Sequence, residues 1–179
     1  VPPSSLPDLS NYSEVAIDLE TYDPLLMSHG PSWAFENKGH VTGIAVATKD
    51  FQIYLPIQHV GGGNILPPNL VNWMNKQFSH SNNKVFHNSL YDLGWLRRLG
   101  VKVNGTIHDT MFAAPLINEN QYGYSLNKLG ERYVGELKDE SLLEDAAKAY
   151  GLNPKSEMYK LPAKYVGPYA EQDAGLTLK

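Results

Sequence analysis

Three separated clusters of oxygen-bearing side chains stand out in this 179-residue sequence: Asp18-x-Glu20, Asn88-x-x-x-Asp92 and Tyr169-x-x-x-Asp173. Four carboxylates brought to one place repel each other. Divalent cations between them relieve that repulsion, and a pair of such cations suits hydrolysis of a phosphodiester. Each cluster alone is weak. Nine Asp and ten Glu in the chain give about half of one Asp-x-Glu by chance. Asn88 and Asp92 alone read as a helix cap with an acid near a helix N-terminus. Tyr169 and Asp173 alone read as a surface hydrogen bond one turn apart. The balance reverses jointly, because each cluster falls on the right kind of element and in a workable order.

Those elements come from local periodicity. Glu14 to Thr21 (EVAIDLET) reads as a buried strand, and residues two apart on a strand share a face. Two acids on such a strand are either an exposed edge-strand pair or, where the strand is buried, acids that need paired cations. His40 to Thr48 and Phe51 to Ile57 read as an antiparallel hairpin. Pro68 to Ser79 has the helical stripe Leu70, Val71, Met74 and Phe78. Lys84 to Phe86 and Thr106 to His108 read as short strands. Asn88 to Leu99 reads as a helix closed by Gly100, with Asn88 at its N-cap. Further helices are expected over 110–118, 125–134, 141–150 and 162–179. The order predicts an α/β fold: a mixed sheet, antiparallel hairpin plus parallel strands, flanked by helices. Residues 1–13, rich in Pro and Ser, read as an extended lead-in or linker before a domain spanning 14–179.

Composition narrows the chemistry. There are no cysteines, which excludes disulfides and thiolate sites and leaves oxygen or histidine ligands, favouring Mg²⁺ or Mn²⁺. No run of 18 or more apolar residues occurs, so no membrane span is expected, and no signal peptide is read. The net charge is −4 and the pI about 5.8. A protein that adheres non-specifically to nucleic acid is usually basic. Here a polyanion would be held locally, or delivered by a neighbouring domain. The start at Val1 and the stop at Lys179 within an expected helix suggest a piece of a longer protein. Gly61-Gly62-Gly63 lacks the Gly-Lys-Ser/Thr of a phosphate loop.

The segments AIDLET (16–21), FHNSLYDLGWL (86–96), HDTM (108–111) and YAEQDA (169–174) together resemble the DEDD superfamily of 3′→5′ exonucleases, which has an RNase H-like fold. The tyrosine subtype, DEDDy, fits best. Histidine-type relatives place His five residues before the final Asp, where this sequence has Pro168, and Tyr169 stands four before. Within the subtype, the pattern is similar to the proofreading exonuclease domain of family A DNA polymerases of phage or bacterial origin.

The resemblance implies a role for each position. Asp18, Glu20 and Asp173 would hold the metal that activates water. Asp18 would bridge to a second metal at the leaving 3′ oxygen, with Asp92 in its outer shell. Tyr169 would orient the attacking water. Thr21 and Asn88 would contact the terminal nucleotide, and Leu25 or Leu26 would wedge between the last two bases. The implied function is release of nucleoside monophosphates from a single-stranded DNA 3′ end, in the cytoplasm, beside a C-terminal polymerase domain. The alternative keeps the chemistry on RNA, as in an RNase D-like enzyme. A catalytically silent binding domain would lack an acid, and all four are present.

Other residues read as supporting. Asp109 is a helix cap first, and His87 is expected to pack or to support a ligand rather than to be one. Trp33 and Phe35 either stack on bases or pack as a lid. Lys155, Lys160 and Lys164 either contact phosphates or, as the default reading, form an exposed, solvated set.

Overall fold

The computed structural model describes residues 5–179. Its elements in chain order are β1 (Glu14–Tyr22), α1 (Leu26–His29), β2 (His40–Ala47), β3 (Gln52–Pro56), α2 (Pro67–Phe78), β4 (Asn83–Phe86), α3 (Ser89–Arg98), β5 (Ile107–Asp109), α4 (Thr110–Ile117), α5 (Leu126–Leu129), α6 (Ser141–Tyr150) and α7 (Ala163–Leu178). Five strands form one sheet in the order β3-β2-β1-β4-β5. The β1–β2 and β2–β3 pairs are antiparallel, while β1–β4 and β4–β5 are parallel. The mixed sheet flanked by helices is the one expected, with the hairpin on one side of β1 and the parallel strands on the other.

The alternation of β1 splits the molecule into two layers. Val15, Ile17 and Leu19 face a core built with Leu70, Met74, Phe78, Trp95 and Leu96 of α2 and α3. Ala16 faces the opposite layer, where α7 lies across β1, β2 and β3. That second interface is made of small residues: Ala16, Ala45 and Ala47 from the sheet against Ala170 and Ala174 from α7. Small side chains let the helix come close, so the short side chain of Asp173 can reach across to β1. Asp18 and Glu20 continue the Ala16 face. The register shifts between Glu20 and Thr21, and such a bulge re-aims the residues that follow it.

The lead-in has no helix or strand among its described residues, yet it is tied to the core. Leu9 is buried and its N–H donates to Gln77 Oε1 at 2.8 Å, while the Trp73 indole donates to Pro7 O at 2.7 Å. The span expected at 125–134 divides into α5 and a π-turn over Gly130–Val134. The irregular loop after β1 contains α1 and a 3₁₀ turn at Ser32–Ala34. Among the described residues no helix is long and apolar enough to cross a membrane.

Candidate active site

One carboxylate oxygen from each of Asp18, Glu20 and Asp173 lies within 4.8 Å of the others. Strand β1 supplies the first two by its two-residue repeat, and α7 supplies the third. Asp92 stands beside this trio in the first turn of α3. It is buried, and its Oδ1 accepts from the N–H of Leu19, between the two β1 acids, at 3.1 Å. The four sequence-predicted acids thus converge, three as a close set and one bound to the strand between them.

Their proton affinities show the strain of that convergence. Burial, then the charge of Asp173, pushes Asp18 up to about 7, against the pull of Lys138. Burial, then Asp18 and Asp173, raises Glu20 well above the carboxylate range. Burial, then Asp18, does the same to Asp92. Burial also raises Asp173, with the Lys138 ammonium opposing it. A cation among these groups would let them ionise. The donor set fits a hard divalent ion: carboxylate oxygens only, with Asp173 Oδ1 buried and, among the described residues, without a hydrogen-bond partner.

Tyr169, one turn before Asp173 on α7, completes the cluster. Burial, then the charges of Glu20, Asp173 and Asp18, raises its pKa, so the phenol keeps its proton. Lys138 donates to its hydroxyl at 3.1 Å and to Asp173 Oδ2 at 2.7 Å. The sequence reading missed this lysine. It lies in the irregular segment between the π-turn and α6, 35 residues from Asp173, where no periodicity assigns it a direction. Lys155 is exposed, as expected, yet it reaches the edge of the cluster. Its ammonium lies 4.8 Å from the Tyr169 ring centre and pairs with Glu140 at 2.6 Å. Lys160 pairs with Glu157, and Lys164 stacks on Tyr165, both away from the acids.

Asn88 is corrected in its local role. It precedes α3 with φ 70°, in the left-handed region that Asn tolerates, and its side chain caps nothing. Asp109 performs the capping instead, and does so twice. It accepts from the N–H groups of Asn88 (3.2 Å) and Ser89 (2.5 Å) at α3, and from Met111 (2.9 Å) and Phe112 (3.2 Å) at α4. Burial alone would raise Asp109, but these donors hold it below the usual carboxylate value. His87 hydrogen-bonds Thr110 Oγ1 at 2.8 Å, a packing contact as expected.

Beside the acids runs a cleft of about 890 Å³ whose lining includes Glu20, Thr21, Leu26, Met27, Asn88 and Lys155. Thr21 Oγ1 and the Tyr91 hydroxyl are 2.7 Å apart, and Tyr91 donates to Asp23 at 2.8 Å. Of the two candidate wedges, Leu26 lines the cleft and Leu25 is the residue that precedes α1. Met27, fully exposed next to Leu26, was not foreseen. Trp33 turns away from the cleft and packs over Gly94 of α3, where any Cβ would meet its indole at 2.4 Å. Arg98 fastens the same loop by donating to the carbonyls of Ser32 and Lys38 at 2.8 and 2.7 Å. Trp33 therefore packs, and of the paired aromatics only Phe35 remains substantially exposed.

A family profile described as 3′-5′ exonuclease matches residues 5–179. A DNA-directed DNA polymerase of Pseudomonas phage M6 is 39% identical over 179 residues, covering 98% of this chain and 27% of that protein. The chain spans about a quarter of the length of the curated relatives it matches. Among solved structures, the catalytic core of RRP6 from Trypanosoma brucei superposes with a TM-score of 0.63 at 21% identity, covering 95% of this chain and 39% of that one. Brucella melitensis NrnC with bound Mg²⁺ superposes with a TM-score of 0.52 at 17% identity, covering 97% and 90%.

Proposed function

The chain belongs to the 3′-5′ exonuclease family of A-type DNA polymerases, and on that premise we propose that it removes nucleoside monophosphates from the 3′ end of single-stranded DNA as the proofreading part of a polymerase. The observation that carries the reading is the convergence of Asp18, Glu20 and Asp173 within 4.8 Å. DNA rather than RNA is favoured because the relatives matched in sequence are DNA polymerases. The matched relatives are longer than this chain, which supports a polymerase region as its partner. As part of such a phage or bacterial enzyme it would act in the cytoplasm of the host cell.

Asp18, Glu20 and Asp173, with Asp92 beside them, would hold two divalent ions, Mg²⁺ or Mn²⁺. When bound, such ions supply charge neutralisation at the phosphate and make a nearby water more acidic. The remaining work falls to the chain's own groups. The protonated Tyr169 hydroxyl has an O–H with which to orient the attacking water. Asn88, whose side chain caps nothing, lines the cleft and its amide would hold the terminal nucleotide with Thr21. Leu26, with Met27, would press on the last bases, which needs only apolar contact and is tolerant of sequence.

The test is a time course on 5′-labelled single-stranded DNA and RNA with Mg²⁺, Mn²⁺ or EDTA, beside Asp18→Ala. A metal-dependent ladder shortening from the 3′ end of DNA, absent in the variant, is expected. Preference for RNA would move the reading to an RNase D-like exoribonuclease. Activity that survives EDTA would sink it.

A further inference from the structure

The acid cluster already contains a cation. Lys138 is mostly buried and makes its closest ion pair, 2.7 Å, with Asp173 Oδ2. Its ammonium also donates to Tyr169 and lies 4.5 Å from the ring centre. One ammonium cannot balance Asp18, Glu20, Asp92 and Asp173 together. Asp173 itself is only half satisfied, since its Oδ1 is buried without a hydrogen-bond partner among the described residues.

Lys138 also has a second seat. Glu140 Oε1 is 3.5 Å from the same nitrogen, while the other Glu140 oxygen is held by Lys155 at 2.6 Å. The backbone on either side is fixed. The Lys138 N–H donates to Asn127 Oδ1 at 3.1 Å, and the Asp139 N–H to Gln172 Oε1 at 2.8 Å. Movement between the two acids therefore asks only for rotation of a long, flexible side chain.

We propose that Lys138 is a positioning residue, the resident counter-cation of the acid cluster, which a divalent ion displaces from Asp173 towards Glu140. The proposal rests on the metal-dependent reading above. An ammonium on Asp173 keeps the cluster together in the absence of an ion. Being of like charge, it also opposes an ion approaching the same carboxylate. Lys138 thereby sets how much free metal the site needs, and its departure frees the Tyr169 hydroxyl from an N–H donor.

The experiment is a Mn²⁺ titration of the 179-residue chain followed by electron paramagnetic resonance, without nucleic acid. Lys138→Met should bind Mn²⁺ about tenfold more tightly than the wild type, a change of about 1.4 kcal/mol. Lys138→Arg, which keeps the charge, should stay within about threefold of it. Equal or weaker binding by Lys138→Met overturns the proposal, as does a gain of the same size in Lys138→Arg, which would trace the effect to side-chain shape. Asp18→Ala serves as the control. If it binds Mn²⁺ as well as the wild type does, the metal site itself is misassigned and the proposal falls with it. Should Lys138→Met fail to fold, the wild type decides by ¹⁵N NMR. The Lys138 ammonium, assigned by its loss in Lys138→Arg, should be visible in EDTA and shift as Mg²⁺ is added. A signal unmoved at saturating Mg²⁺ overturns the proposal.

Discussion

Two buried lysines sit towards opposite ends of the parallel strands and solve the same problem in opposite ways. Lys84, on β4, is fully buried, and its ammonium donates to His80 O, Asn82 O, Asn82 Oδ1 and Asn104 O at 2.7–2.8 Å. Every partner is a neutral oxygen, and burial lowers its pKa. Lys138 is surrounded by carboxylates, with Asp173 at 2.7 Å and Glu140 at 3.5 Å. The first cradle is closed: its donors are matched, and nothing more is needed there. The second has more acid than one ammonium can answer, and one buried Asp173 oxygen has no hydrogen-bond partner among the described residues. A buried charge that is fully matched is evidence of structure. An unmatched surplus of one sign, in a cleft, is evidence of a site that takes a ligand.

The largest effect should come from emptying the surplus. Asp18→Ala or Asp173→Ala is expected to lower 3′-end hydrolysis at least about a thousandfold, equivalent to ~4 kcal/mol of the barrier. Circular dichroism should show the fold retained, since Asp18→Ala removes a like charge from a crowded cluster and Asp173→Ala leaves Lys138 the Glu140 carboxylate at 3.5 Å. Single-turnover rates within tenfold of wild type would mean that the acids are no more than a crowded surface. The next largest effect belongs to the closed end. Lys84→Met leaves the oxygens around it without a donor and should cost about 3 kcal/mol in urea unfolding. Its rate per folded molecule should be that of the wild type. A matching loss of activity would erase the distinction between the two ends.

The acid end was largely legible in the sequence and the closed end was not. Asp18 with Glu20, and Tyr169 with Asp173, declare a shared face through the two- and four-residue repeats of strand and helix. The hairpin and α2 follow from equally local patterns. Local pattern does not say what lies opposite a loop residue. Lys138 sits in an irregular segment, and only packing against α7 brings it to Asp173. Lys84 reads as an ordinary polar residue in a short strand, because its four acceptors come from turns that no periodicity describes. Asn88 stands at the start of α3 as read, but its side chain does not cap the helix. Its left-handed backbone removes it from capping, and Asp109, 21 residues later in sequence, takes over. Trp33 left two readings open until the glycine at position 94 showed where its indole lies.

A finer probe of the acid end is its tyrosine. Tyr169→Phe keeps the ring against the two lysines and removes only the hydroxyl. The expected loss is about tenfold to a hundredfold in the chemical step. Binding of a single-stranded oligonucleotide should hold, as followed by fluorescence anisotropy in Ca²⁺. If Tyr169→Phe were as inactive as Asp18→Ala, orienting water would be too small a role for it. If it were as active as the wild type, Lys138 would be its only partner of consequence.

The smallest effect, and the one that separates the two ends in a single experiment, is the pH dependence of stability in EDTA. Asp18 is held at about 7 in the folded chain, against an ordinary value of 3.8. A raised acid binds more protons folded than unfolded, so folding stability falls as pH rises through the window between those values. For a folded value near 7, the fall between pH 6 and pH 8 is about 1.4 kcal/mol. Histidines work the other way: burial lowers His40, His59 and His87, with His59 near 4, and these gain stability as the unfolded imidazoles lose protons. The comparison is therefore with Asp18→Asn, in which the same histidines cancel. From pH 6 to 8 in EDTA, the wild type should lose about 1.4 kcal/mol more than Asp18→Asn. Saturating Mg²⁺ should remove most of that difference, because an ion takes over the role of the proton. Lys84→Met should keep the wild-type slope on a lower baseline, since the four oxygens that hold Lys84 are carbonyl and amide oxygens, which do not titrate. Parallel pH curves for wild type and Asp18→Asn would mean that Lys138 alone neutralises the cluster, and that the acid end is as closed as the other.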